Sequence, residues 1–287
     1  MRSPYAVILY ALLLPGCATN LAAVRDFADE TKKIGVAFDP ILGKAVEQCR
    51  QQFLQRRVYT TDSALVKFDA ESVLKQASET CKPIEDENAT AKRMSKALAD
   101  YASQLSALAA NGVATSVSDD YDALTAKLGE FKDAPKEKLG AISSLLKYIT
   151  RSILAKSQHD AIVEALSHEE AVGALSDGLV VYSDRVYGAY LAERLKDQPL
   201  LADALRAESA SPISSRLRLM DVYQQTLNLT EQKKATASLR KAVDQMKTSM
   251  RDLRQNVDTL SARERVAEVQ KLSKEVRALY EQLAKAF

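Results

Sequence analysis

Several residue types are scarce in this sequence, and each shortage excludes a class of protein. The chain has no Trp, two His, three Cys, nine Gly and seven Pro among 287 residues. So little Gly and Pro argues against long disordered linkers. The few Cys have no neighbouring ligands at the spacing of a zinc site. Basic and acidic residues nearly balance, and a net charge of +2 gives the whole chain no polyionic character.

Catalytic signatures are missing as well. The sequence has no His-Glu-x-x-His, no Gly-x-Ser-x-Gly, no Walker phosphate loop and no Gly-rich dinucleotide turn. His159 and His168 are nine residues apart, which does not make them adjacent ligands on one helix face. Glu169 and Glu170 after His168 are more typical of a solvated helix start than of a metal or general-base cluster. We therefore predict no catalytic residue, no metal and no cofactor; a triad assembled only by the fold is the enzymatic alternative.

The N-terminus has the pattern of an export signal. Arg2 precedes an apolar run from Tyr5 to Leu14, about half of the roughly twenty residues that a membrane-spanning helix needs. The run ends in Leu14-Pro15-Gly16-Cys17, which resembles the lipobox of bacterial lipoproteins. In that motif Leu stands three residues before a Cys, and Gly or Ala directly before it.

The resemblance implies a lipid anchor. The signal, residues 1–16, would be cut between Gly16 and Cys17, with two acyl chains on the Cys17 thiol and one on the new amino group. Two or three chains anchor a protein stably, whereas one binds only marginally. Ala18 stands where many inner-membrane lipoproteins have Asp, so we expect attachment to the periplasmic face of the outer membrane. The alternative is an ordinary cleaved signal with an incidental Cys.

The two remaining cysteines fit an exported protein. Cys49 and Cys81 form an even pair in an oxidising compartment and are predicted to form a disulfide. The bond would close a loop of about thirty residues. Two buried free thiols are the alternative.

Helical periodicity runs through nearly every segment after Asn20, and strand alternation is hardly visible. We predict an all-α fold, an elongated multi-helix bundle over 17–210 followed by a C-terminal antiparallel, coiled-coil-like hairpin over 211–287 that packs on the same bundle. Pro40 should kink the first helix, and the second should end near Cys81, ahead of Pro83. Gly112 should stop the third helix, and a break is expected around Pro199.

The C-terminal hairpin has the clearest pattern. Its apolar residues alternate at spacings of four and three, as in packed helices. The first seam consists of Leu239, Val243, Met246, Met250, Leu253, Val257 and Leu260, and the second of Val269, Leu272, Val276, Leu279 and Leu283. Between the seams, Ser261 and Glu264 have the spacing of a capping box. From Ile213 onward there are fifteen Lys and Arg against nine Asp and Glu. These charges more often solvate a hairpin than bind anionic lipid.

One further cluster is a candidate interface. Tyr182, Tyr187 and Tyr190 share a helical stretch with Arg185, and exposed Tyr and Arg are typical of interface hot spots. The alternative is a helix that packs these rings inward with their hydroxyls at the rim.

Anchor, long helices and missing catalytic motifs together indicate a non-enzymatic envelope lipoprotein. We predict a scaffold or adaptor that binds an envelope protein through helical surfaces, with the membrane as second partner through Cys17 and no nucleic acid. The alternative is a carrier that holds an apolar ligand or lipid between helices. The oligomeric state stays open, because the heptads fit a pair within one chain and a bundle of several chains equally well.

Overall fold

The computed structural model describes residues 21–60, 69–117, 121–154, 157–207, 212–257 and 263–287. It confirms the predicted all-α class. The α-helices are α1 (Ala22–Ala37), α2 (Asp39–Thr60), α3 (Ala70–Asn111), α4 (Asp122–Leu128), α5 (Leu139–Ile149), α6 (Gln158–Ser167), α7 (Glu169–Ser183), α8 (Ala189–Ala207), α9 (Pro212–Gln255) and α10 (Arg263–Ala286). Lys136–Lys138 form a 3-10 turn, and the π-helical segment Asp184–Gly188 joins α7 to α8. Strands β1 (Val113–Ala114) and β2 (Ile153–Leu154) pair antiparallel. Within these ranges no helix is long and apolar enough to cross a membrane.

One side of the bundle consists of α1 and α2 lying antiparallel along α3, which at 1.5 Å per residue is about 63 Å long. The Ser95 hydroxyl donates to the carbonyl of Gly35 at 2.7 Å, and the Asn88 amide donates to the carbonyl of Leu42 at 2.9 Å. Cys49 and Cys81 form the predicted disulfide between α2 and α3.

The other side is built on α9. The rod formed by α7, the π-helical segment and α8 runs antiparallel along it, with Lys247 paired to Asp177 at 2.7 Å. Helix α10 packs antiparallel on α9 and contacts α1, where the Tyr280 hydroxyl donates to the carbonyl of Lys33 at 3.0 Å. Every residue of the two predicted seams is buried, apart from Leu260, which lies outside the described residues. The capping-box residue Ser261 also lies outside them.

Four expected boundaries have different outcomes. Gly112 ends α3 as predicted, with φ +72° and its N–H bonded to the carbonyl of Leu108 at 2.9 Å. The break between α1 and α2 falls at Phe38, and Pro40 lies in the first turn of α2. The predicted breaks near Pro83 and Pro199 are wrong, because α3 and α8 continue through these residues.

The long helices give the molecule two ends. We call the end that holds the start of α1, the end of α3 and the start of α7 the base. The opposite end, with the last turns of α2 and α8 and the first turns of α3 and α9, is the tip. The buried core lies between them and is largely aliphatic, with fully buried rings such as those of Phe27, Phe38 and Tyr101.

Candidate docking surface on the helical arm

The tip extends as a helical arm, which consists of α8 and residues 212–231 of α9. Helix α10 ends beside Gln232, whose side-chain amide donates to the carbonyl of Ala286 at 3.4 Å. Beyond that level α9 continues for about twenty residues, or about 30 Å, along α8. There Gln225 accepts a hydrogen bond from Arg194 and the Tyr223 hydroxyl accepts one from Arg206 of α8. Val222 is the one buried residue between 213 and 228, a range that the structure describes throughout.

Polar contacts fix α8 between α2 and α9. The guanidinium of Arg194 donates to Gln55 on α2 at 2.8 Å and to Gln225 on α9 at 3.1 Å. The amide of Gln55 in turn donates to Asp197 at 3.2 Å, and the Tyr190 hydroxyl donates to Gln51 at 3.2 Å. The position of the arm is therefore set by hydrogen bonds that charged groups strengthen.

A row of large apolar side chains lies along the outer surface of the arm. We call it the ridge, and its members are Ile213 (74% exposed), Leu217 (59%), Met220 (66%), Tyr223 (53%) and Leu227 (62%). The buried seam of α9, continued toward the N-terminus, would fall at position 229, two residues from Leu227. At 100° per residue, the ridge is on nearly the opposite side of the helix from the seam. Since α9 needs one apolar face to fold, a second face without cover indicates a binding surface.

A groove lies on the other flank of the arm, between α2 and α8. Its volume is about 360 Å³. Its apolar lining includes Tyr190, Leu200, Leu201 and Ala204, and Arg56 and Glu193 stand at its rim, paired at 3.2 Å. Arg194 also lines the groove, and its Nε is buried without a hydrogen-bond partner among the described residues. The groove could hold an apolar group with an acceptor atom at one end.

The tyrosine cluster predicted as an interface candidate is inside the bundle. Tyr182 and Tyr187 are fully buried and Tyr190 is 6% exposed, which favours the packing alternative. Their hydroxyls reach polar partners, such as Gln232 at 2.9 Å from the Tyr187 hydroxyl. The pKa of all three phenols is raised, and the largest cause is burial, because the charged phenolate would lose its hydration. None of the three rings is available to a partner without unfolding.

Arg185 belongs to this interior region too. Its Nε donates to Asp133 at 2.8 Å, a second nitrogen pairs with Glu87, and its guanidinium lies 5.4 Å from the ring centre of Tyr182. The arginine thus ties the π-helical segment to α3 and to the chain ahead of α5. Its pKa is raised: burial acts in the opposite direction, but the bonds to Asp133 and Glu87 outweigh it. Its role is structural.

The histidines lie apart from the arm. The ring of His168 packs on Tyr148 with ring centres 4.7 Å apart, and burial, the largest influence, lowers the pKa of its imidazole. Among the residues that the structure describes, there is no group of three or more His, Cys, Asp or Glu that could hold a metal ion. The lipobox residues Gly16 and Cys17 lie outside the described residues, so their processing stays a prediction.

Comparison with known proteins adds no assignment. No protein-family model matches the chain, and no curated protein or solved structure is significantly similar to it.

The ridge is the feature that the sequence interpretation missed. A signal for it exists, because Ile213, Leu217, Met220 and Leu227 repeat at spacings of four, three and seven. The seam further along the same helix has the same period, so these residues are easily taken for its continuation. The ridge pattern is shifted by two residues from the seam pattern, and two residues correspond to about 200° around the helix, so the two sets lie on opposite faces.

Proposed function

We propose that the protein is a non-enzymatic, lipid-anchored scaffold of the cell envelope that binds its partner through the ridge. The observation that carries the proposal is five adjacent large apolar side chains that are each more than half exposed on one helix face. A contiguous apolar surface of this kind is typical of protein–protein contact sites.

The position of the ridge relative to the expected anchor supports this role. Cys17 precedes Leu21 by four residues, so at most about 14 Å of chain separates the proposed acyl chains from the start of α1 at the base. The arm is at the other end of helices about 60 Å long. A membrane attachment at Cys17 would therefore keep the ridge clear of the acyl chains and free to meet a partner.

Site-specific photo-crosslinking in intact cells tests the proposal. A photoreactive amino acid replaces Leu217 on the ridge, and in the matched control it replaces Val181, which is 51% exposed on α7. We expect one discrete crosslinked species from position 217, lost when Met220→Glu is added, and none from position 181. The same crosslinked species from positions 217 and 181, or no crosslinked species from either, would contradict a scaffold that uses the ridge.

The same preparations test the anchor. Mass spectrometry of the N-terminal peptide should show acyl mass on Cys17, and Cys17→Ser should release the protein from the membrane fraction. An unmodified Cys17 would instead indicate an ordinary cleaved signal.

The groove between α2 and α8 supports a second candidate function, a carrier of an apolar ligand. Native mass spectrometry of the purified protein should then show co-purified lipid, and Ala204→Trp, which fills the groove, should remove it. Recovery of lipid without any ridge-specific crosslink would favour the carrier over the scaffold.

A further inference from the structure

We infer that the ridge binds the ridge of a second copy of this chain, with the two α9 helices antiparallel. This inference rests on the proposed function, since both use the ridge, and it names the partner. The joined pair would then be the scaffold unit, with its two Cys17 anchors at opposite ends and its long axis lying along the membrane.

The order of residues along the ridge is symmetric. Counted from Met220, the apolar residues stand at −7, −3, 0, +3 and +7. A two-fold axis through Met220 therefore places Ile213 opposite Leu227 of the partner, and Leu217 opposite Tyr223. A two-fold interface requires a surface that is complementary to itself, and in this pairing each of the five exposed large apolar residues of α9 meets another one.

The charge of Arg216 favours the antiparallel orientation. In a parallel pair in register, Arg216, which is exposed on the same side of α9 as the ridge, would lie near its own copy, and like charges at such positions oppose pairing. In the antiparallel pair Arg216 comes opposite the uncharged Gln224. Arg218 and Asp221 lie on the side of α9 that faces α8, where they line a pocket with Leu201 and Leu205, and take no part in the contact. The antiparallel arrangement thus removes this repulsion.

The size of the surface fits a weak or moderate dimer. Five side chains that are each more than half exposed offer on the order of 500 Å² per copy, or about 1,000 Å² in the pair, near the lower limit for a specific interface. The arm also leaves room for the contact. With the two-fold axis at Met220, Gln232 of the second copy comes level with position 208 of the first. The bundle of the second copy therefore begins only beyond Pro212, where α9 of the first copy starts.

Disulfide trapping in the full-length protein, in native membranes, tests the contact. Met220 would lie beside its own copy, so Met220→Cys should convert the monomer to a disulfide-linked dimer under mild oxidation. Cys49 and Cys81 are already bonded to each other, and the unmodified chain controls for any contribution of Cys17. Val181→Cys and Leu74→Cys, at exposed positions on other helices, are the matched controls and should remain monomeric. Adding Leu217→Glu should abolish the Met220→Cys dimer.

Two further variants test the orientation. Ile213→Cys and Leu227→Cys, carried by differently tagged chains in one cell, should crosslink to each other, while neither should crosslink to itself. The reverse pattern, self-crosslinking of each variant and no mixed product, would overturn the antiparallel arrangement.

Failure of this inference can be told from failure of the proposed function. If Met220→Cys gives no dimer while position 217 still photo-crosslinks to a different protein, the second copy is refuted and the scaffold stands. If neither experiment gives a product from the ridge, both are refuted.

Discussion

Gly35 and Gly43 are eight residues apart in the first two helices, and they should respond oppositely to one added methyl group. A Cβ on Gly35 would lie 3.1 Å from both the backbone nitrogen and the Cβ of Ala99, because α1 and α3 approach closely there. A Cβ on Gly43 meets nothing within 4 Å. We expect Gly35→Ala to destabilise the fold by about 1–2 kcal/mol through overpacking. Gly43→Ala should stabilise it by about 0.5–1 kcal/mol through helix propensity. Urea unfolding measures both, and equal shifts for the two variants would contradict the close approach of α1 and α3.

Arg185 provides a second test at the scale of one residue. Arg185→Met leaves Asp133, whose side chain is 9% exposed, without its cation. Because Glu87 and Arg185 keep partial contact with water, we expect a loss of about 2 kcal/mol rather than the larger cost of a fully buried pair. Arg93→Met, at an exposed position of α3, is the matched control and should change the unfolding free energy by less than about 0.5 kcal/mol. An equally small effect for Arg185→Met would show that the network does not hold the π-helical segment.

Single residues were predicted from the sequence when a local conformation required them. Gly112 adopts a left-handed conformation that few other residues tolerate, so its place at the end of α3 could be predicted. The tyrosines show the limit. Their spacing indicates a shared helix face, but whether that face meets solvent depends on α2, α3 and α9, which are distant in sequence.

At the scale of elements, Pro83 and Pro199 show tertiary packing overriding a local signal. Each proline removes one backbone donor and crowds the preceding turn, at a cost of about 3 kcal/mol in a helix interior. Both rings are exposed, while residues beside them, such as Cys81 and Ala202, are buried and hold the flanking turns in place. The helix therefore continues on its buried side, a result that propensity alone does not predict.

Helix α9 should differ in stability between its two halves. Residues 235–257 bury one continuous face of the helix, against α10, α7 and α1, whereas residues 213–228 bury only Val222. Because local opening needs less energy where few apolar contacts are lost, amides of the arm should exchange with solvent much faster than those of the C-terminal half. Hydrogen exchange with mass spectrometry compares the halves within one peptide map. Equal protection of the amides in both halves of α9, measured on the monomer, would contradict the conclusion that the arm is held by few buried contacts.

The disulfide should stabilise the pairing of α2 with α3. Cys49 and Cys81 are 32 positions apart, and closing such a loop restricts the unfolded chain by about 3–4 kcal/mol in the entropy model. Cys49→Ser with Cys81→Ser should lower the unfolding free energy by about this amount in oxidising buffer. Reductant should lower the stability of the unmodified protein and leave the double variant unchanged. Insensitivity of the unmodified protein to reductant would contradict the expectation.

For the whole molecule, small-angle scattering should detect the elongation. A chain beginning at Ala18 keeps every described residue, and a globular protein of that length has a radius of gyration of about 18–19 Å. Helices of about 63–66 Å predict a larger radius and a maximum dimension of at least about 65 Å. An antiparallel pair centred on Met220 should extend to about 100 Å. A radius near the globular value at low concentration would contradict the end-to-end arrangement of the long helices.

The overall architecture was predictable where the heptads are regular, as in α9 and α10, because a four-three repeat requires a partner helix. Short irregular parts were not. Ile153 continues the apolar spacing of α5 in sequence, yet it lies in β2, where pairing with β1 satisfies its backbone. The arm was missed since its outer face depends on where α10 ends, a property of three-dimensional packing.

The continuous rods also have a mechanical consequence. Helices α3 and α9, and the α7–α8 rod, each run from base to tip, so a pull on the arm reaches the base along hydrogen-bonded backbone without crossing a loop. The Cys49–Cys81 bond adds a covalent link between α2 and α3 near the tip. Tension between a membrane and a bound partner would load these helices in shear, side by side, rather than peel them apart. With the base anchored and the ridge bound, as proposed, these helices would act as a stiff spacer that transmits force.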